Sequence, residues 1–181
     1  MRILDFLLSL IALIIFAPAL SFVLIALRLT GEGEVFYKQE RVGRNNQKFL
    51  LLKFATMLKN SPSLGTGNIT VKNDPRVLPF GKFLRKTKIN ELPQLINVLK
   101  GDMALIGPRP LTEDNFQMYS DDVQFAIQSL RPGLSGVGSI IFRNEEELLS
   151  GTNASGEFYL DHIAPYKGEL EKWYYSRRNI F

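Results

Sequence analysis

The chain has 181 residues, no cysteine, one histidine (His162) and a formal net charge of +4. That length accommodates one compact domain plus a membrane segment, and the lack of cysteine excludes a disulfide framework, thiolate metal sites and cysteine nucleophiles. The charge is uneven: Lys38 to Lys100 holds thirteen Lys/Arg residues against three acids, whereas Gly101 to Phe181 holds twelve acids against seven bases. Such a basic block suits phosphorylated substrates or an anionic membrane surface, and nucleic acid ranks last because no recognised binding motif accompanies it.

From Phe6 to Leu27 no residue is charged, and the run is bounded by Asp5 and Arg28. At ~1.5 Å per residue a helix of this length matches a bilayer core of ~30 Å. Pro18 removes one intrahelical hydrogen bond near its middle, so residues 1–30 read as a membrane helix kinked at Pro18. A cleaved signal peptide fits less well, because Arg2 is a weak basic leader and no small-x-small cleavage site follows. Gly31-Glu32-Gly33 predicts a break, with a second domain over residues 35–181.

Val35-Phe36-Tyr37 and Phe49-Leu50-Leu51-Leu52 flank the polar stretch Gly43-Arg44-Asn45-Asn46 and predict a strand pair. Asn60 to Asn73 is rich in Ser, Gly, Asn and Thr and reads as a loop. Its glycines space as neither a phosphate-binding loop nor a dinucleotide fingerprint, and Asn68-Ile69-Thr70 is a chance match to a glycosylation acceptor.

Asp74 to Pro110 gathers the parts of an anion site: the basic cluster Lys82, Arg85, Lys86 and Lys88, the polar pair Asn90 and Glu91, and Arg109 in a Pro/Gly-rich loop. Leu92, Leu95, Ile96 and Leu99 fall at helical spacing, which predicts a helix capped by Asn90, with Pro93 in its first turn and Gly101 at its end. Cations and a helix N-terminus together favour phosphate. On the residues alone, a capped core helix beside a solvated basic face is an equal reading.

Asp114 to Leu130 predicts one helix, with Phe116, Tyr119, Val123, Ile127 and Leu130 on one side. Arg131 to Gly136 reads as a turn-rich loop, Glu145 to Leu149 as helical and Gly151 to Gly156 as a loop. From Phe158 to Phe181 aromatics mix with bases, among them Tyr166, Lys167, Lys172, Trp173, Arg177 and Arg178. That mixture suits a bilayer interface and equally a terminal helix packing Trp173 into the core. His162, alone, reads as structural. The fold class expected is α/β of the mixed α+β kind, a small catalytic domain with a membrane-embedded helix and interfacial amphipathic helices.

The run LRKTKINELPQLINVLKGDMALIGPRP, with Arg41-Val42-Gly43, Lys53-Phe54, Asp74-Pro75-Arg76 and Arg131-Pro132-Gly133, resembles the signature of the bacterial sugar transferases. These are monotopic phosphoglycosyl transferases acting on polyprenyl-phosphate carriers. The resemblance implies transfer of a sugar 1-phosphate from a UDP-sugar to polyprenyl (undecaprenyl) phosphate with release of UMP, the first step of membrane-linked glycan or polysaccharide assembly. It implies the bacterial inner membrane, a catalytic domain facing the cytoplasm, and downstream glycosyltransferases as candidate partners. It also implies a proline-broken helix that re-enters the same leaflet, an ordinary kinked span being the alternative.

In that family an Asp-Glu pair acts with Mg²⁺, the aspartate forming a covalent phosphosugar intermediate. The resemblance places the pair at Asn90-Glu91, a phosphate-binding arginine at Arg85 and substrate contacts at Arg109, Lys53 and the Arg131 segment. Glu91 is the implied metal ligand, with Asp102 either assisting or stabilising a turn. The chain departs from the pattern at three positions: Asn90 replaces the nucleophile, Ala55 an arginine, and Ala17 the serine before the proline. A catalytically silent relative that binds lipid phosphate or a partner enzyme is therefore the alternative function.

Overall fold

In the computed structural model, which describes residues 2–64, 70, 73–148 and 158–177, the predicted strand pair is present. Strands β1 (Phe36–Val42) and β2 (Lys48–Phe54) run antiparallel, with Phe36 opposite Phe54 and Val42 opposite Lys48. The chain reverses through a 3-10 turn at Arg44–Asn46, where Asn45 and Asn46 adopt positive φ, a conformation asparagine tolerates better than most residues. A second, parallel pair joins β3 (Ala104–Ile106) to β4 (Gly133–Ser135). Part of the stretch read as a turn-rich loop, Arg131 to Gly136, is thus a strand, and the fold is mixed helix and sheet.

Helix α1 (Arg2–Leu29) is the long apolar element and, among the described residues, the one helix long and apolar enough to cross a membrane. The expected kink at Pro18 does not interrupt it: the segment stays helical through the proline, and the Ser21 hydroxyl donates to the Ala17 carbonyl at 2.9 Å. Asp5, Ser9, Leu20, Val23 and Leu27 form its less exposed stripe, at helical spacing. Along that stripe both ends meet the rest of the protein. Near the start, Arg2 donates to the Lys100 carbonyl (3.4 Å) and Asp5 Oδ1 accepts from the Leu105 amide (3.4 Å). Near the end, Val23 and Leu27 pack with Phe54 and Leu84 in a shared core. The opposite side leaves Ile3, Leu7, Ile14, Ile15, Phe22 and Leu29 exposed.

Gly31 and Gly33, both at positive φ, make the expected break after α1. Helix α2 (Pro79–Lys86) starts on a proline and buries Leu84. It lies so close to the end of the hairpin that a Cβ on Gly81 would sit 2.2 Å from the Thr56 carbonyl oxygen. Lys88 (φ +61) leads into a 3-10 turn at Ile89–Glu91, and helix α3 (Gln94–Lys100) follows and ends at Gly101 in the left-handed conformation. The cap predicted at Asn90 is corrected by this geometry. Short i→i−3 bonds from Leu92 to Ile89 and from Leu95 to Leu92 wind the chain tightly until Pro93, which occupies the N-cap position itself. Asn90 caps nothing.

The single helix expected over Asp114 to Leu130 is two, α4 (Glu113–Gln117) and α5 (Asp121–Gln128). Ser120 followed by two aspartates restarts the helix, a signal that the apolar periodicity overrode. The apolar side was read correctly: Phe116, Val123 and Ile127 join Val42 and Leu111 in one core, with Tyr119 against it. Helices α6 (Val137–Ile141) and α7 (Glu145–Leu148) precede a π-helical turn at Tyr159–Ile163 and helix α8 (Ala164–Arg177). Trp173 is 43% exposed, under the Arg177 guanidinium at 4.9 Å, so α8 does not drive it into the core. The Gly151 to Gly156 loop, the Asn68-Ile69 part of the triplet and Arg178 lie outside the described residues.

Candidate functional site

A cleft of about 510 Å³ opens between the hairpin, the 3-10 turn before α3 and helix α8. Lys53, Arg85, Asn90, Glu91 and Arg109, singled out in the sequence, all line it. Arg131 and Asp102 do not. The Asp102 carboxylate accepts from Asn97 Nδ2 at 3.1 Å, and the same Asn97 amide bonds both the Leu50 carbonyl and the Leu52 amide. That arrangement fastens α3 to β2 and gives Asp102 a structural partner. Among the described residues no three carboxylates or imidazoles cluster as a metal cage.

Arg109 is positioned by backbone approach. A Cβ on Gly107 would lie 2.3 Å from the Arg131 carbonyl oxygen, one on Gly133 2.1 Å from the Gly107 nitrogen, and one on Gly136 2.0 Å from the Gly107 oxygen. Only glycine permits this contact, so the Gly107-Pro108-Arg109 and Arg131-Pro132-Gly133 motifs are two halves of one backbone junction. Arg41, which the sequence reading placed in a motif without a role, completes the wall: Nη1 donates to the Pro110 carbonyl at 3.1 Å and Nη2 to Gln39 Oε1. Its Nε is buried with no partner among the described residues.

At the centre Lys53 Nζ lies 3.2 Å from Glu91 Oε1. Burial opposes ionisation of Glu91, yet Lys53, Arg109 and Lys88 outweigh it and pull its pKa down to about 2. Burial, with Arg109 and Arg41 nearby, lowers Lys53 to about 8 although Glu91 favours its charge. Burial and Arg109 likewise lower Arg41 to about 10. Arg41, Lys53 and Arg109 thus face the Glu91 carboxylate, the first two partly buried and Arg109 exposed, a local excess of positive charge that costs solvation until an anion arrives. Arg85 stands at the rim, its Nη1 4.0 Å from Met57 Sδ. Asn90 is 5% exposed, and its Oδ1 has no hydrogen-bond partner among the described residues.

The opposite wall was not found from the sequence. On α8, Lys167 pairs with Glu145 at 2.7 Å and lies over the Phe142 and Tyr159 rings at 5.1 and 5.3 Å. One turn further, Glu171 is buried, and burial raises its pKa to about 7 against the opposing Arg109 amide and Lys167. Lys167 and Glu171 are four residues apart, the spacing of a shared helix face, which is the signal the sequence offered.

The family model described as bacterial sugar transferase matches residues 1–175. The chain belongs to the bacterial sugar transferase family. It is 36% identical over 158 residues to the undecaprenyl-phosphate galactose phosphotransferase of Salmonella typhimurium, a stretch covering 80% of this chain and 33% of that protein. It is 35% identical over 155 residues to the exopolysaccharide production protein ExoY of Rhizobium meliloti, covering 78% and 68% respectively. With an uncharacterized sugar transferase of Haemophilus influenzae it shares 38% over 157 residues, 79% of this chain and 33% of the relative. The chain therefore matches about a third of the longer relatives and about two thirds of ExoY.

Proposed function

We propose that this protein transfers a sugar 1-phosphate from a UDP-sugar to polyprenyl phosphate, releasing UMP. The observation that carries the reading is the cleft in which Arg41, Lys53 and Arg109 surround the Glu91 carboxylate, beside an apolar helix fit for lipid. A diphosphate supplies the negative charge that this wall lacks, and its charge grows on the leaving UMP as the bond breaks. The relatives named as undecaprenyl-phosphate phosphotransferases support the acceptor.

Glu91 is anionic at any physiological pH, and its carboxylate and the free Asn90 Oδ1 are hard oxygen donors side by side in the cleft. They fit Mg²⁺ as a partial ligand set, which a diphosphate would complete. A bound Mg²⁺ would supply charge neutralisation for the phosphates. Asn90 has no anionic oxygen, so it does not attack phosphorus. Glu91 can: a bond forms from its Oε to the β-phosphorus while the bond to UMP breaks, and the lipid phosphate then displaces Glu91. Direct attack by the lipid phosphate is the other route, with Glu91 holding the cations in place.

UMP release from purified protein given UDP-sugars and polyprenyl phosphate tests the function. Wild type turns over, and Glu91→Gln lowers turnover by about a hundredfold or more. Loss of a trapped phosphosugar adduct, read by intact mass, assigns Glu91 as nucleophile, whereas turnover surviving Glu91→Gln excludes it. The neutral Asn90 favours one second reading, a silent lipid-phosphate or partner-binding relative. In that case wild type is inactive and Asn90→Asp switches on UMP release.

α1 touches the same domain at both ends, through Asp5 and through Val23 and Leu27. A helix crossing the bilayer holds its ends on opposite sides, so this contact supports a helix that enters one leaflet and returns. In this reading the domain lies at the cytoplasmic face of the bacterial inner membrane.

A further inference from the structure

Resting on the transfer reading, we propose that the α8 wall is a hydroxyl-recognition subsite for the neutral, polyhydroxylated part of the donor, with the Glu171 carboxyl as its hydrogen-bonding group. The subsite faces the cationic wall across one cleft, and both line the same space. Its chemistry is different. Lys167 is already paired with Glu145 and covered by two rings, so it offers no unspent charge for a phosphate. Tyr119 and Tyr159, linked by a side-chain hydrogen bond, have their phenols held protonated by burial, Tyr119 well above the ordinary range. What remains is Glu171, 7% exposed, with Oε2 unpartnered among the described residues.

The surroundings are shaped to this carboxyl. It accepts from the Arg109 backbone amide, and a Cβ on Gly138 would lie 2.8 Å from Oε1. Glycine at 138 therefore leaves Glu171 its place. A carboxyl that is protonated part of the time both donates and accepts, which is what a sugar or ribose hydroxyl requires of a partner. A buried polar group left without its partner costs free energy, so the site rewards a ligand that supplies a hydroxyl.

The test compares the affinities of pyrophosphate, UDP and a panel of UDP-glucose, UDP-galactose and UDP-N-acetylgalactosamine, by calorimetry on the full chain in detergent. Wild type, Glu171→Gln and Glu171→Leu are measured. Glu171→Leu is expected to leave pyrophosphate affinity within about twofold and to lose about tenfold for the hydroxyl-bearing ligand. If UDP keeps its affinity and the sugar nucleotides lose theirs, the hydroxyl is the sugar's; if UDP loses the same factor, it is the ribose's. Glu171→Gln, which keeps shape and hydrogen bonding, retains most of the affinity and no longer shows the pH dependence near 7 that wild type shows. The facing titratable groups, Lys167, Glu145, Tyr119, Tyr159 and Arg109, are unchanged in this variant. Equal losses for pyrophosphate and the sugar nucleotides would overturn the subsite in favour of mere positioning of Arg109. Unchanged affinities in both variants would overturn it also. A wild type that binds no UDP-sugar above UDP and releases no UMP removes the transfer reading and the subsite with it, whereas normal turnover with unaltered variants removes the subsite alone.

Discussion

Lys53 shows how one side chain can report on a site. Its pKa falls from 10.5 to about 8 because burial and two arginines outweigh the attraction of Glu91. Between those values the folded protein binds fewer protons than the unfolded chain, so this group makes stability rise with pH across that window. An anionic ligand needs the opposite state, the charged ammonium. Pyrophosphate affinity measured from about pH 7 to about pH 10 should therefore fall above pH 8, with proton uptake on binding. Lys53→Arg, which stays charged, should flatten that profile. A wild-type profile with no inflection near pH 8 would mean that Lys53 takes no part in anion binding.

The same residue was legible before the structure, as were Arg85, Glu91 and Arg109, because each sits in one of the motifs that carried the resemblance, and all of them line the cleft. Asn90 was legible as a site position but not as a cap, since the tight winding imposed by Lys88 at positive φ and by Pro93 is not encoded in apolar periodicity. Glu171 and Lys167 were missed because burial of a charged helix face depends on what packs against it, here Gly138 and Tyr159, distant in sequence.

Among the elements, α1 is tied to the domain at both of its ends. Long apolar runs usually read as anchors independent of the domain they carry, and nothing local marks Val23 and Leu27 as residues that enter the core with Phe54 and Leu84. Leu27→Ala should thus destabilise the domain by about 2–4 kcal/mol, as other buried leucines do. Ile14→Ala, at a position 65% exposed, should change little. Denaturant titration of both in one detergent checks this, and equal midpoints would show that α1 is not part of the cooperative unit. The hairpin was predictable because two short apolar runs flanking a polar turn mark it locally. The three-residue strands β3 and β4 were not, since their pairing rests on glycines far apart in sequence approaching each other across backbone.

For the whole molecule, α1 packs against the same domain that holds the cationic cleft. The topology is testable because the chain has no cysteine. A thiol introduced by Ile3→Cys, at a position 77% exposed, should resist a membrane-impermeant reagent applied outside intact cells and react once the cytoplasmic side is opened. Labelling from outside would establish a full span and defeat the re-entrant arrangement.

The contact of α1 with Phe54 and Leu84 also orders events during synthesis. Val23 and Leu27 leave the ribosome before the residues they pack against, and a helix with one flank apolar to solvent cannot wait in water. If the bilayer holds it meanwhile, insertion precedes folding, and the core around Val23 and Leu27 is completed only after Leu84 and Ile89 have been made. Nascent chains arrested before that point would carry an inserted helix and no binding site.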